Sequence, residues 1–145
     1  MELWELVRLV SERYGKRLEE HKEAQAGRSG FGSVTVQQFQ YLQAIRRAPE
    51  ATVSYLKSYF GVRSPSATMI VHTLEAKGLL KKKPNSHDQR SNYLVLTPKA
   101  LKLLEAQENA FVALGEDIQA ALSPTDLKTY TRLTEQVCSA LERKS

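Results

Sequence analysis

Ser64-Pro65-Ser66-Ala67-Thr68-Met69-Ile70-Val71-His72-Thr73-Leu74-Glu75-Ala76-Lys77-Gly78 is the stretch whose reading decides the fold. Serine followed by proline opens a helix, because proline at the first helical position gives up an N–H that has no intrahelical partner there. Ala67, Ile70, Val71 and Leu74 recur at spacings of three and four and predict one inward face, and Gly78 is placed to end the helix. The opposite face shows Ser66, Thr68, Met69, His72 and Thr73, which are small or hydrogen-bonding, with no charge until Glu75 and Lys77. Such a face can approach DNA closely.

Working upstream, Thr52 is a predicted N-cap for a helix that turns Val53, Leu56 and Phe60 inward, and Gly61 falls where a left-handed terminal residue is wanted. Two helices joined by Gly61-Val62-Arg63 form a helix-turn-helix candidate, in which the second helix enters the major groove with its N-terminal residues nearest the bases. Before that, Thr35 and Gln38 have capping-box spacing, and Val36, Phe39, Leu42 and Ile45 make one apolar stripe that ends before Pro49.

Downstream, Leu79 to Lys83 and Ser91 to Leu96 read as two strands around the polar, turn-forming segment Pro84-Asn85-Ser86-His87-Asp88-Gln89-Arg90. A hairpin placed just after a recognition helix can lie along the duplex and send an arginine into the minor groove, and Arg90 suits that role. Asp88 is placed either to hold the Arg90 guanidinium or to form a simple surface pair with it. Between residues 61 and 100 stand seven basic residues, Arg63, Lys77, Lys81, Lys82, Lys83, Arg90 and Lys99, and two acidic ones, Glu75 and Asp88, so the whole formal charge of +5 lies in this segment. That placement fits a polyanion-binding surface, although Lys81-Lys82-Lys83 alone would also serve as a solvated face.

The flanks read as long helices. Leu3, Leu6, Val7, Val10, Tyr14 and Leu18 give an amphipathic helix to about Ala24, broken by the glycine-bearing stretch from Ala26 to Ser33. Leu101, Leu104, Phe111, Gly115, Ile118 and Leu122 predict a single helix from about Pro98 to Leu122. Ser123-Pro124 resets the chain, and Leu127, Tyr130, Leu133, Val137, Cys138 and Leu141 continue as a last amphipathic helix. The apolar faces of the first and last helices have no evident partner within one subunit, so pairing them across a two-fold axis is expected. The layout is mainly α with a small β-hairpin wing: an N-terminal dimerisation helix and linker over 1–34, a winged helix-turn-helix over 35–98, and C-terminal dimerisation helices over 99–145.

The stretch from about Thr35 to Pro98 resembles the winged-helix domain of the MarR family of bacterial and archaeal regulators. Its carriers are Val62-Arg63-Ser64-Pro65-Ser66-Ala67-Thr68, Leu74-Glu75-Ala76-Lys77-Gly78-Leu79-Leu80, Asp88-Gln89-Arg90-Ser91 and Leu96-Thr97-Pro98. The resemblance implies a homodimer that binds a pseudo-palindromic double-stranded operator, often represses nearby genes, and is often released by a small aromatic or lipophilic effector. It places Thr68, Met69 and His72 on the base-reading face and Asp88 and Arg90 in the wing motif. Arg63, Ser64, Ser66, Thr73, Lys82, Lys83 and His87 complete the expected DNA-contacting set, His87 being readable also as a plain solvent residue. Many members carry a basic residue where this chain has Met69, and a methionine suits a thymine methyl better than a guanine edge.

Tyr14, Phe31 and Phe39 are candidates to line an effector pocket, with core packing as the other reading. Cys138, the single cysteine, falls on an apolar helix face and is expected to be a buried thiol, whereas a peroxide-sensing role is what some relatives give a cysteine. Histidines and acids show no metal-ligand spacing, and no phosphate loop, nucleophile elbow or zinc-protease motif is present, so neither cofactor nor enzymatic activity is expected. Without a span or a leader in view, a cytoplasmic location is expected. The competing class is a winged helix used as a protein-interaction module.

Overall fold

The computed structural model of the chain describes residues 1–26, 34–88 and 90–142. Its elements run α1 (Leu3–Ala26), α2 (Val36–Arg47), α3 (Val53–Phe60), α4 (Ser64–Ala76), β1 (Leu80–Pro84), β2 (Asn92–Leu96), α5 (Pro98–Ala121) and α6 (Pro124–Glu142). The chain divides into two compact units, one of residues 22–109 and one of residues 1–21 with 110–145. The mainly helical fold with a two-stranded antiparallel wing is the expected class.

In the unit of residues 22–109, local chemistry starts each helix. Thr35 accepts from the Gln38 N–H while the Gln38 side chain accepts from the Thr35 N–H, so the capping box closes in both directions. Thr52 caps α3 by accepting from the Tyr55 N–H at 3.1 Å. The core that these helices enclose is formed by Leu42, Leu56, Ala67, Val71, Leu74, Leu79, Leu80 and Leu104. Tyr41 stacks on Phe60 with ring centroids 4.3 Å apart, joining α2 to the end of α3. Phe39 is also buried in this core, and the Lys22 ammonium lies 5.7 Å from its ring centre.

Thr97 ties the wing to α5. Its hydroxyl donates to the Gly78 carbonyl at 2.7 Å and accepts from the Ala100 N–H at 3.3 Å, while its own N–H reaches the Leu79 carbonyl. One buried side chain thus caps α5 and fixes the turn that leaves α4, which gives the Leu96-Thr97-Pro98 sequence a physical reason. Thr97→Val keeps the volume but removes these bonds, and should lower the unfolding free energy by about 1–2 kcal/mol. Urea titration of both proteins measures this, and an unchanged midpoint would refute the role.

In the unit built from residues 1–21 and 110–145, polar contacts link residues far apart in sequence. The Tyr14 and Tyr130 hydroxyls lie 2.8 Å apart, and burial with this contact pushes the Tyr14 phenol up to about 12. Asp117 accepts from Arg17 at 2.7 Å and pairs with His21 at 2.6 Å. The Arg17 hydrogen bonds, then that of His21, hold the Asp117 carboxyl down at about 2 against its ordinary 3.8. A depressed carboxyl stabilises the fold above its unfolded value and loses that contribution as pH falls through its folded value, so the effect belongs to roughly pH 4 down to 2. Asp117→Asn should therefore melt lower than the parent at pH 6, with the gap closing as the solution is acidified. A pH-independent gap in calorimetry would show that the charge is not what matters.

Leu3, Trp4, Leu6, Val7 and Val10 of α1 are exposed, and so are Leu133, Val137 and Leu141 of α6. Ser123 accepts from the Asp126 N–H at 3.1 Å and so caps α6 ahead of Pro124 as the sequence predicts. Within one chain the Cys138 thiol is exposed, because the apolar face of α6 on which it lies is uncovered there.

Candidate nucleic-acid interface

Gly61 adopts φ 62°, a left-handed conformation that closes α3 and turns the chain toward α4. The start of α4 differs from the sequence reading by one residue. Arg63 takes the N-cap position without a side-chain capping bond, and Ser64 is the first helical residue with Pro65 behind it. Either position suits the proline, since the N–H groups of the first turn have no intrahelical acceptor. The shift leaves the exposed Arg63 side chain without a capping duty at the end of the helix where N–H groups point outward.

Along α4, Ala67, Val71 and Leu74 are buried and Ile70 partly so, as the three-four spacing predicts. Ser66, Thr68, Met69 and His72 are exposed, and Thr73 is half-buried with its hydroxyl donated to the Met69 carbonyl at 3.0 Å. The helix ends at Ala76, with Lys77 as its C-cap and Gly78 at φ 70° just beyond. Lys77 reaches the Gln38 side chain, and Lys99 reaches the Lys77 carbonyl, so both ammonium groups are engaged within the unit.

The wing pairs Leu80 with Leu96, Lys82 with Leu94 and Lys83 with Tyr93. Alternation puts Leu80 in the core and Lys82 farther out on the same side, with Lys81 and Lys83 on the other, and all three lysines are exposed. At the root, the Leu94 N–H donates to the Ala51 carbonyl at 2.8 Å, which fastens β2 to the α2–α3 connection. Tyr93 also bonds Glu50, and desolvation followed by that carboxylate's charge raises its phenol above the ordinary value.

Side chains build the wing tip. Asn85 accepts from the His87 and Asp88 N–H groups at 2.9 and 3.3 Å, and donates across the loop to the Ser91 hydroxyl at 3.2 Å. Asp88 accepts from the Arg90 backbone N–H at 2.9 Å. That corrects the expected role of Asp88: it holds the Arg90 main chain, because a carboxylate two residues earlier reaches an N–H in an Asx turn more directly than a long side chain. His87 and Arg90 are exposed at this tip. The helix-turn-helix, Arg63, Lys82, Lys83, His87, Asp88 and Arg90 thus all belong to the unit of residues 22–109.

The three effector candidates do not come together in one unit. Phe39 is core in one unit. Tyr14 lines a groove of about 330 Å³ in the other, with Leu114, Ile118 and Tyr130. Phe31 lies outside the described residues. Sequence reasoning missed Asn85 and Ser91 as organisers of the tip, although an asparagine opening a Pro-Asn-Ser turn is a signal for an Asx motif. It also missed Arg17, Asp117 and Tyr130, whose partners lie about a hundred residues away and carry no local signal. No group of three metal-ligating side chains occurs among the described residues, and no helix among them is long and apolar enough to cross a membrane.

Whole-chain comparison finds the same architecture in solved structures. FabT of Streptococcus pneumoniae, solved in complex with DNA, superimposes with a TM-score of 0.78 at 18% identity, covering 99% of this chain and 100% of that one. YusO of Bacillus subtilis gives 0.76 at 19% identity, over 95% of this chain and 93% of its own. Apo MarR of E. coli gives 0.63 at 23% identity, over 94% and 97%. Likenesses at these identities establish the fold. The sequence itself matches the MarR family over residues 33–91, which span the helix-turn-helix, β1 and the Asp88 to Ser91 wing motif. The winged-helix domain of this chain is therefore a MarR-family domain.

Proposed function

We propose that this chain is a transcription regulator that binds a pseudo-palindromic operator as a homodimer, α4 in the major groove and Arg90 of the wing at the minor groove. The observation that carries the reading is one compact unit presenting an exposed, nearly uncharged helix face beside a hairpin whose lysines and tip arginine are exposed. FabT, which shares the fold along its whole length, is solved with DNA. The exposed apolar residues of α1 and α6 supply the surface on which two copies pair, and a two-fold pair offers two recognition helices at half-sites about one helical turn apart. The protein acts in the cytoplasm by occupancy, with no catalysis of its own, most simply by repression. A small aromatic or lipophilic effector would alter that occupancy, and Tyr14 in its groove is the residue best placed to meet one.

The test is fluorescence anisotropy on duplexes recovered from genomic DNA by the purified protein, with sedimentation velocity for the assembly. Arg90→Ala should weaken binding at least tenfold, since a hydrogen bond to a charged group contributes roughly 1.5–3 kcal/mol. Lys82→Ala should weaken all duplexes alike. A monomer at micromolar concentration would refute the dimer, and failure to bind any duplex at low salt would favour a protein-interaction module.

A further inference from the structure

The segment Ser64–Ala76 that forms α4 contains no arginine, lysine, asparagine or glutamine. Those four residues supply the bidentate contacts that separate guanine and adenine edges in the major groove. Ala67, Val71 and Leu74 fix the buried side of the helix. At 3.6 residues per turn Met69 lies about 200° round from Ala67, directly opposite the core. The same geometry sets Pro65, Met69, His72 and Ala76 along one ridge, and all four are exposed, Met69 at 69%. Three of the four are apolar. Hydroxyls flank the ridge at Ser66, Thr68 and Thr73, the last with its proton committed to the Met69 carbonyl. The cations of the expected DNA-contacting set lie off this ridge: Arg63 at the N-cap, Lys82 and Lys83 on β1, and Arg90 at the tip.

Among the base edges that the major groove displays, the one apolar group is the C5-methyl of thymine. We infer that the sequence preference of this helix is set by thymine methyl groups packed against Met69. The surrounding cations bind phosphates, which position the protein and carry no sequence information. The methionine side chain, unbranched and polarisable, can follow a methyl whose position varies with local twist. His72 offers a single ring nitrogen to any one edge, a weaker discriminator than a bidentate pair. This inference rests on the DNA-binding reading above.

The experiment uses the full chain and the duplex most enriched from a randomised pool, synthesised in three forms: unmodified, with uracil for thymine, and with 7-deazaguanine for guanine. Uracil removes the methyl and leaves the hydrogen-bonding edge intact, whereas 7-deazaguanine removes an acceptor and leaves thymine alone. Loss of one buried methyl contact weakens binding about fourfold, so a symmetrical pair of half-sites should lose roughly 15-fold on uracil substitution. The 7-deazaguanine duplex should bind within about twofold of the parent. In the Met69→Ala protein, checked for an unchanged melting temperature, the uracil effect should disappear. A uracil effect of equal size in both proteins would mean the methyl acts through duplex shape, and would overturn the inference. So would indifference to uracil with a large 7-deazaguanine effect. Both outcomes leave DNA binding standing, whereas a pool that enriches no duplex removes the DNA-binding reading and this inference together.

Discussion

Raising the salt from about 50 to 200 mM should cut duplex affinity by about 10⁴-fold. The expectation follows from counting exposed cations that are free to meet phosphates. Arg63, Lys82, Lys83 and Arg90 are exposed in each protomer. A dimer then neutralises about eight phosphates, and a slope near −0.9 per phosphate gives about −7 in the logarithm of the association constant against log salt. Lys82→Ala removes one contact per protomer and should flatten that slope by about 2. Titrating anisotropy at four or five salt concentrations measures both. A slope shallower than about −3 would mean that the wing lysines face solvent and not phosphate.

Leu74→Ala is expected to destabilise the protein by about 3–4 kcal/mol. Leu74 is fully buried, near the C-terminal end of α4, and sits in one core with Leu56, Leu79 and Leu80. Removing its isobutyl group leaves a cavity in a core that several elements share, and it cannot close without moving the helix. Since a domain of this size is stable by only about 5–15 kcal/mol, the variant should unfold at markedly lower urea. Met69→Ala, changing an exposed residue of the same helix, should leave the midpoint within the error of the parent. Equal effects at the two positions would contradict the assignment of inner and outer faces.

How much of this was legible in the sequence depended on the range of the interaction. The capping box at Thr35 and Gln38, the Thr52 cap, left-handed Gly61 and the Ser123 to Asp126 cap were all read correctly, because each is settled within four residues. The inner face of α4 was legible because its period is that of a helix. Helix starts were less sharp: Arg63 displaced Ser64 at the cap, where sterics and proline tolerate either. The Asp88 to Arg90 pairing was foreseen, but its atoms were not, since a residue list cannot tell a main-chain N–H from a guanidinium. The Arg17 to Asp117 and Tyr14 to Tyr130 contacts were invisible, because nothing local marks partners a hundred residues apart. Cys138 is uncovered within one chain, because an apolar stripe shows only that a face wants cover, not that one chain supplies it.

The anchoring of β2 to Ala51 gives the wing lysines a second duty. With β2 held on that side, β1 is the rail of the hairpin left open among the described residues, and Lys81, Lys82, Lys83 and Pro84 line it. Like charges and a residue lacking an N–H are what keep such a rail from zipping onto the same rail of a neighbouring molecule. Stripping all three lysines to weaken nucleic-acid binding would therefore invite self-association, and a loss of activity in that triple variant would need to be separated from simple clumping before it is credited to lost phosphate contacts.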